Sequence, residues 1–94
     1  MTALPPNATI QQIQTYVALT ERNRGFNEET ALQKCLLLGE EMGELFKAIR
    51  AHSNIKVDAT SEVGSIGDEL ADILNFVVAI ANRFNIDLES AFRE

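Results

Sequence analysis

Residues 39–46 of this chain read GEEMGELF, and residues 68–74 read DELADIL. Each segment carries two carboxylates three positions apart within an apolar run, a spacing that places both on one face of an α-helix, about 5–6 Å apart at Cβ. Two such helices packed antiparallel can bring four carboxylates to one point, which is a recurrent design for divalent ions. The four acids are Glu41, Glu44, Glu69 and Asp72.

The composition predicts one small helical domain. Ninety-four residues provide a single core, and residues 1–8, which include Pro5 and Pro6, are expected to form a flexible leader. Two prolines, five glycines and a hydrophobic content of 46% favour a globular all-α protein over strands or disorder. We therefore predict one domain over residues 1–94, a small bundle of three main helices and a short C-terminal helix.

Capping signals and apolar periodicity set the expected helix boundaries. Thr9 with Gln12 fits a capping box, Asn27 can cap the second helix, and Ser65 and Asp87 precede the third and fourth. The expected helices are Ile10 to Asn23, Glu28 to Ala51, a third that starts between Ser61 and Ser65 and ends near Phe84, and Leu88 to Arg93.

The third helix is apolar around almost its whole circumference over residues 73–81. A helix of this kind is buried on all sides, and the remaining helices of so short a chain cannot cover it. We therefore expect a homo-oligomer, a dimer or a tetramer. Gly39 and Gly43 lie inside the second helix, where they either allow close approach of another backbone or a ligand, or are simply tolerated.

The net charge of −6 argues against nucleic acid or an anionic membrane as a partner, because both require clustered Lys and Arg. No apolar run is long enough to span a bilayer, and the N-terminus lacks the pattern of a signal peptide. The single cysteine, Cys35, allows no internal disulfide. These features predict a soluble, cytoplasmic protein.

The acidic pairs have a simpler interpretation as solvated surface, and two observations favour a metal site instead. Glu40 with Glu44, and Asp68 with Asp72, are like charges at i,i+4, where repulsion costs about 0.2–0.5 kcal/mol. The second pair also lies on the helix expected to be buried, where an unpaired carboxylate is costly. Ligands that are all oxygen, without His or Cys, indicate Mg²⁺, with Mn²⁺ able to replace it.

The two motifs, in this order and context, resemble those of the MazG-like all-α nucleoside triphosphate pyrophosphohydrolases, over roughly Arg22 to Phe92. The resemblance implies an enzyme that cleaves a (deoxy)nucleoside triphosphate to a monophosphate and pyrophosphate, in house-cleaning of the nucleotide pool. It also implies that the four acids bind magnesium. Glu40 would orient or deprotonate the attacking water, a role that Glu44 could also take, or would contact a second metal ion.

Four further residues are candidates for substrate binding. Lys34 and Lys47 could neutralise the outer phosphates, although such lysines are more often solvated surface charges. Asn75 and Phe76 follow Asp72 on its face of the third helix. Phe76 is the preferred candidate for stacking on the base, with Phe26 or Tyr16 as alternatives, although core packing is the more frequent role of such rings.

Two other functions stay open at this point. One is hydrolysis of phosphoribosyl-ATP by a related enzyme, which differs in the nucleotide that is turned over. The other is a non-enzymatic helical dimerisation or regulatory module whose acidic face is vestigial. Release of pyrophosphate in the presence of magnesium separates both enzymes from the third possibility.

Overall fold

A computed structural model describes residues 3–55 and 62–94, and these form four α-helices. The prediction of an all-α fold with three main helices and a short fourth is confirmed, and the described ranges contain no strand. Within the same ranges, no helix has the length and apolarity needed to cross a membrane. The helices are α1, Ile10–Arg24; α2, Ala31–His52; α3, Ile66–Arg83; and α4, Leu88–Arg93.

The start of α1 agrees with the prediction, whereas the start of α2 does not. Thr9 and Gln12 form the expected capping box. The cap of α2 is Thr30, whose hydroxyl accepts a hydrogen bond from the Gln33 N–H at 3.1 Å, while the Gln33 side chain accepts from the Thr30 N–H at 2.7 Å. The prediction that Asn27 caps this helix is therefore wrong, because Thr30 and Gln33 satisfy two free backbone donors reciprocally.

The remaining boundaries lie close to their expected positions. Gly25 ends α1 in the left-handed conformation at φ 77°, and its N–H donates to the Arg22 carbonyl at 3.3 Å. Ser65 caps α3 by accepting from the Asp68 N–H at 3.0 Å, and Asp87 caps α4. The earliest predicted start of α3, at Ser61, lies outside the described residues.

Helix α3 is the centre of the packing, since it contacts both α2 and α1, while α4 packs on α1. The core cluster is small and consists of Val17, Val78 and Ala79, with Ile13 and Leu88 packed against it. Because one chain supplies so few buried apolar side chains, most of the surface of α2 stays uncovered.

Large apolar side chains are exposed on both α2 and α3. Leu70 and Leu74 of α3 are each 51% accessible, so one chain does not enclose the helix predicted to be buried on all sides. A Cβ atom built on Gly39 or Gly43 would meet no atom within 4 Å. Within the described residues, therefore, no backbone approaches these two glycines closely.

Candidate metal centre and adjoining cleft

The predicted acids of α2 and α3 meet where these two helices cross in opposite directions. Lys34, near the start of α2, lies against Phe76 of α3, while Glu41, two turns later, lies against Glu69 and Asp72. One carboxylate oxygen from each of Glu41, Glu69 and Asp72 lies within 4.8 Å of the others. The antiparallel pairing therefore brings three of the four predicted ligands into one acidic cluster.

The acidic cluster is closed on one side and open on the other. Glu69 is buried, Glu41 is half-buried and Asp72 is exposed. Glu41 Oε2 is enclosed and has no hydrogen-bond partner among the described residues. A buried acceptor without a donor costs about 1–3 kcal/mol, so this atom needs a proton or a cation that the surrounding side chains do not supply.

The electrostatics at Glu41 agree with its geometry. Its pKa is raised from 4.5 to about 7, chiefly by the adjacent Glu69 carboxylate, to which only a protonated Glu41 can donate a hydrogen bond. Desolvation and the negative charges of Asp72, Glu69 and Glu44 raise this pKa further. Ionising all three carboxylates is therefore unfavourable, and a bound cation would remove the penalty. The donor set of carboxylate oxygens fits a hard metal ion.

Glu44 lies close enough to contribute to the raised pKa of Glu41, but it is not one of the three clustered acids. Its carboxylate pairs with the Lys47 ammonium at 3.4 Å. Glu40 is exposed on α2 and likewise lies outside the three-acid cluster. The roles assigned to Glu40 and Glu44 from the sequence stay predictions.

Sequence reasoning missed Gly64, which lies just before the cap of α3. A Cβ atom at this position would collide with Glu69 Oε1 and lie 3.3 Å from Glu69 Cδ. The Gly64 backbone therefore forms one wall around the buried carboxylate. The sequence gives no signal for this contact beyond a glycine near a helix start.

A cleft of about 320 Å³ adjoins the acidic cluster. Leu37 lies one turn before Glu41 on the α2 side, and Asn75 and Phe76 lie one turn after Asp72 on the α3 side. Three of the four predicted substrate-binding residues, Lys34, Asn75 and Phe76, line this cleft, whereas the fourth, Lys47, does not.

Lys34 is buried, and its ammonium is already paired. The nitrogen lies 3.1 Å from Glu21 Oε2 and 2.8 Å from Glu29 Oε1. It also lies 5.4 Å from the centroid of the Phe26 ring and 5.6 Å from that of Phe76. The structure thus places Lys34 in the cleft wall, with its charge neutralised by carboxylates that the sequence analysis had not linked to it.

The family model for the MazG nucleotide pyrophosphohydrolase domain matches residues 26–94. The chain belongs to this family. The resemblance inferred from the two acidic motifs is therefore confirmed, and with it the assignment to nucleotide pyrophosphohydrolases in general. A search of curated proteins found no match.

The range matched by the MazG model begins at Phe26, so it covers both acidic motifs but leaves α1 outside. In this MazG domain, α1 nevertheless supplies Val17 to the core and Glu21 to the cleft. The cleft is therefore built partly from residues within the matched range and partly from α1, which lies before it.

Proposed function

We propose that this MazG domain hydrolyses a (deoxy)nucleoside triphosphate to a monophosphate and pyrophosphate, with Mg²⁺ held by the acidic cluster. The observation that carries the proposal is Glu41 Oε2, an enclosed carboxylate oxygen without a hydrogen-bond partner at the point where three acids converge. Membership of the MazG family supplies the class of reaction.

In this proposal Glu41, Glu69 and Asp72 are ligands, and Glu44 completes the set by exchanging its contact with Lys47 for the metal. Mg²⁺, or Mn²⁺ in its place, would offset the negative charge of the triphosphate and of the carboxylates that face it. Glu40 or Glu44 would accept the proton of the attacking water. Lys47, released from Glu44, would face the outer phosphates.

The cleft next to the cluster would bind the nucleoside. Phe76 offers a ring for stacking, and the Asn75 amide offers both a donor and an acceptor to the sugar or base. A triphosphate with its base in this cleft would have its phosphates on the side of the acids, because Asn75 and Phe76 lie one turn from Asp72 on α3. We propose that this reaction serves to clear unwanted nucleotides from the cytoplasmic pool.

A second copy of the chain is part of the proposal. Leu32, Leu36 and Phe46 are exposed on α2 and, with Gly39 and Gly43, recur at intervals of three or four residues; we call this set the α2 stripe. Such spacing produces one continuous helical face, and its open glycines would let another backbone approach closely. We propose that a homodimer, or a tetramer built from dimers, covers the α2 stripe.

The decisive experiment measures pyrophosphate release from a panel of common and damaged nucleotides, with and without Mg²⁺. Glu41→Gln and Asp72→Asn should each lower kcat/KM by a factor on the order of 100 or more, since even outer-shell partners of metal ligands are worth 10–100-fold. Glu94→Gln, the same chemical change at an exposed position after α4, is the matched control and should keep wild-type activity.

Calorimetric titration with Mg²⁺ in the absence of nucleotide gives a second measurement. The same two ligand variants should lose metal binding while remaining folded by circular dichroism. Full activity in both variants would contradict the assignment of Glu41 and Asp72 as metal ligands. Metal binding without turnover of any nucleotide would favour a regulatory module, and turnover confined to phosphoribosyl-ATP would favour the related phosphoribosyl-ATP hydrolase.

A further inference from the structure

Arg83, near the C-terminal end of α3, uses all five of its N–H donors. Its Nε donates to the Glu29 carbonyl at 2.6 Å, and its two terminal nitrogens donate to the two oxygens of Glu21 at 3.0 and 2.9 Å. The same nitrogens also donate to the carbonyls of Ala79, at 2.9 Å, and Phe26, at 3.1 Å. Arg83 therefore joins three separate parts of the chain.

Two of these five acceptors are backbone carbonyls of the segment that links α1 to α2. Phe26 lies at the start of this segment and Glu29 lies near its end, so Arg83 holds it at two points. The side chain of Glu29 is held as well, by the Lys34 ammonium at 2.8 Å. We call the set of Glu21, Glu29, Lys34 and Arg83 the ion clasp.

Three members of the ion clasp, Glu21, Glu29 and Lys34, line the proposed nucleotide cleft, and Arg83 contacts Glu21 and Glu29 from outside its lining. Glu21 is its centre, since its Oε2 atom receives both Lys34, at 3.1 Å, and Arg83, at 2.9 Å. Phe26 is carried on the segment that the clasp holds, and its ring, like that of Phe76, faces the Lys34 ammonium. Phe26 and Phe76 both line the cleft.

Burial alone does not hold the side chain of Phe26 in place, because the residue is 47% exposed. Its N–H donates to the Glu21 carbonyl at 2.8 Å in the turn that ends α1. This bond fixes the first residue of the segment but does not attach the segment to α3. Attachment to α3, the helix that carries Phe76, is made by Arg83.

We propose that Arg83 is a positioning residue for substrate binding: by holding residues 26–29 against α3, it sets the Phe26 ring with Phe76 as the surface on which the nucleotide base stacks. This inference rests on the proposed function, since it assigns the base-binding part of the same cleft. The hydrogen bonds of Arg83 go to Glu21 and to backbone carbonyls, and none goes to the acidic cluster of Glu41, Glu69 and Asp72. Its loss should therefore weaken nucleotide binding and leave metal binding unchanged.

The test compares Arg83→Lys, Phe26→Ala and the double variant, assayed with the triphosphate that the wild-type protein hydrolyses best. Lysine keeps the charge but cannot reproduce the five-donor fork. We expect each single variant to raise KM about tenfold with kcat changed by less than about threefold, the pattern for lost uniform binding. The KM of the double variant should be no higher than that of either single variant, because the two substitutions disrupt the same contact surface and their effects do not add. Arg93→Lys, on exposed α4, is the matched control.

Mg²⁺ titration without nucleotide is the second measurement, and Arg83→Lys should keep wild-type affinity. An unchanged KM in Phe26→Ala would overturn the inference even if Arg83→Lys failed to fold. Additive losses in the double variant would also overturn the inference, because the two residues would then act independently. So would a parallel loss of kcat and metal affinity in Arg83→Lys, because it would show that Arg83 only stabilises the fold. Absence of turnover by the wild-type protein would instead reject the proposed function.

Discussion

At the scale of single residues, the buried charges of this protein fall into two groups. Glu21 and Lys34 are buried together, and each has an oppositely charged partner within 3.1 Å. Glu69 is buried beside Glu41, and its charged neighbours in the acidic cluster are also acids. Burial of charge is tolerated when it is paired and is costly when it is not. The charges of the first group are therefore compensated within the fold, whereas the second group needs a proton or a cation to remove its repulsion.

A substitution at Gly64 tests the role of the buried Glu69 carboxylate without replacing any of the acidic residues. In Gly64→Ala the new methyl group would displace the Glu69 carboxylate from its position beside Glu41 and Asp72. We expect Mg²⁺ affinity to fall about tenfold or more, as for other disturbances of the surroundings of a metal ligand. The measurement is calorimetric titration of the folded protein with Mg²⁺.

Gly67→Ala is the control for this experiment. Gly67 lies in the first turn of α3, and a Cβ atom there would meet no atom within 4 Å. Alanine favours a helix over glycine by about 1 kcal/mol, so this variant should bind Mg²⁺ normally and be at least as stable as the wild type. Equal metal affinity in both variants would show that the Glu69 carboxylate moves freely and that Gly64 does not hold it.

At the scale of helices, the sequence predicted the elements well and the links between them poorly. Periodicity and caps placed both ends of α1 and α4, and the C-terminal end of α3, within about one residue of their observed positions, because these signals are local. The start of α3 was predicted only as a range, Ser61 to Ser65, and lies at Ile66. The three acids that converge, Glu41, Glu69 and Asp72, were predicted for the same reason, since each predicted pair lies within one helical turn. Arg83 and its partner Glu21 were not found, because 62 positions separate them and no local pattern records such a pair.

The start of α2 shows how two local signals can compete. Asn27 and Thr30 are both good capping residues. Only Thr30 is followed three positions later by a residue, Gln33, whose side chain accepts a hydrogen bond from the backbone N–H of the cap. We expect Thr30→Ala to lower the free energy of unfolding by about 1 kcal/mol. For a domain of this size, that corresponds to a decrease in Tm of about 4–8 °C.

Thermal unfolding followed by circular dichroism checks this prediction. Thr15→Ala is the matched control, because Thr15 is exposed within α1 and its hydroxyl donates only to the Gln11 carbonyl one turn earlier. That bond adds little to helix stability, so the control should unfold within about 0.5 kcal/mol of the wild type. If Thr30→Ala behaves like Thr15→Ala, the capping box contributes nothing measurable.

The ion clasp that joins α1, α2 and α3 should respond to acid. Burial alone would raise the pKa of Glu21, but hydrogen bonds from Arg83 and Lys34 and their positive charges outweigh this and hold it below 4.5. A lowered folded-state pKa contributes stability that is present above pH 4.5 and is lost as the pH falls through the folded value. Denaturant unfolding at a series of pH values below 5 should therefore show a loss of stability.

Glu21→Gln separates this contribution from that of other carboxylates. The variant should be less stable at neutral pH by about 3 kcal/mol, because it leaves two cations short of a partner. It should also lose less stability than the wild type on acidification. Glu28→Gln, at an exposed position, should follow the wild-type profile. Parallel acid profiles for Glu21→Gln and the wild type would contradict a lowered pKa at Glu21.

At the scale of the whole molecule, buried and exposed apolar residues are out of balance. Five apolar residues are buried among those described, and three of these five are alanines. Far larger side chains are exposed, among them Leu32 at 69% and Leu36 at 65% on the α2 stripe. Small domains are marginal even with a full core. The separate chain therefore lacks apolar burial that association through the α2 stripe would provide.

We accordingly expect sedimentation of the wild-type protein to give the mass of two or more chains, with no folded monomer on dilution. Leu36→Glu places a charge in the middle of the α2 stripe, where burial without a partner is unfavourable, so it should produce monomers that unfold at lower denaturant concentration. Phe92→Glu is the control, since Phe92 is 88% exposed on α4, the helix that packs on α1. Dissociation by Phe92→Glu alone would move the interface to α4, and a wild-type monomer at every concentration would show that this small core is sufficient by itself.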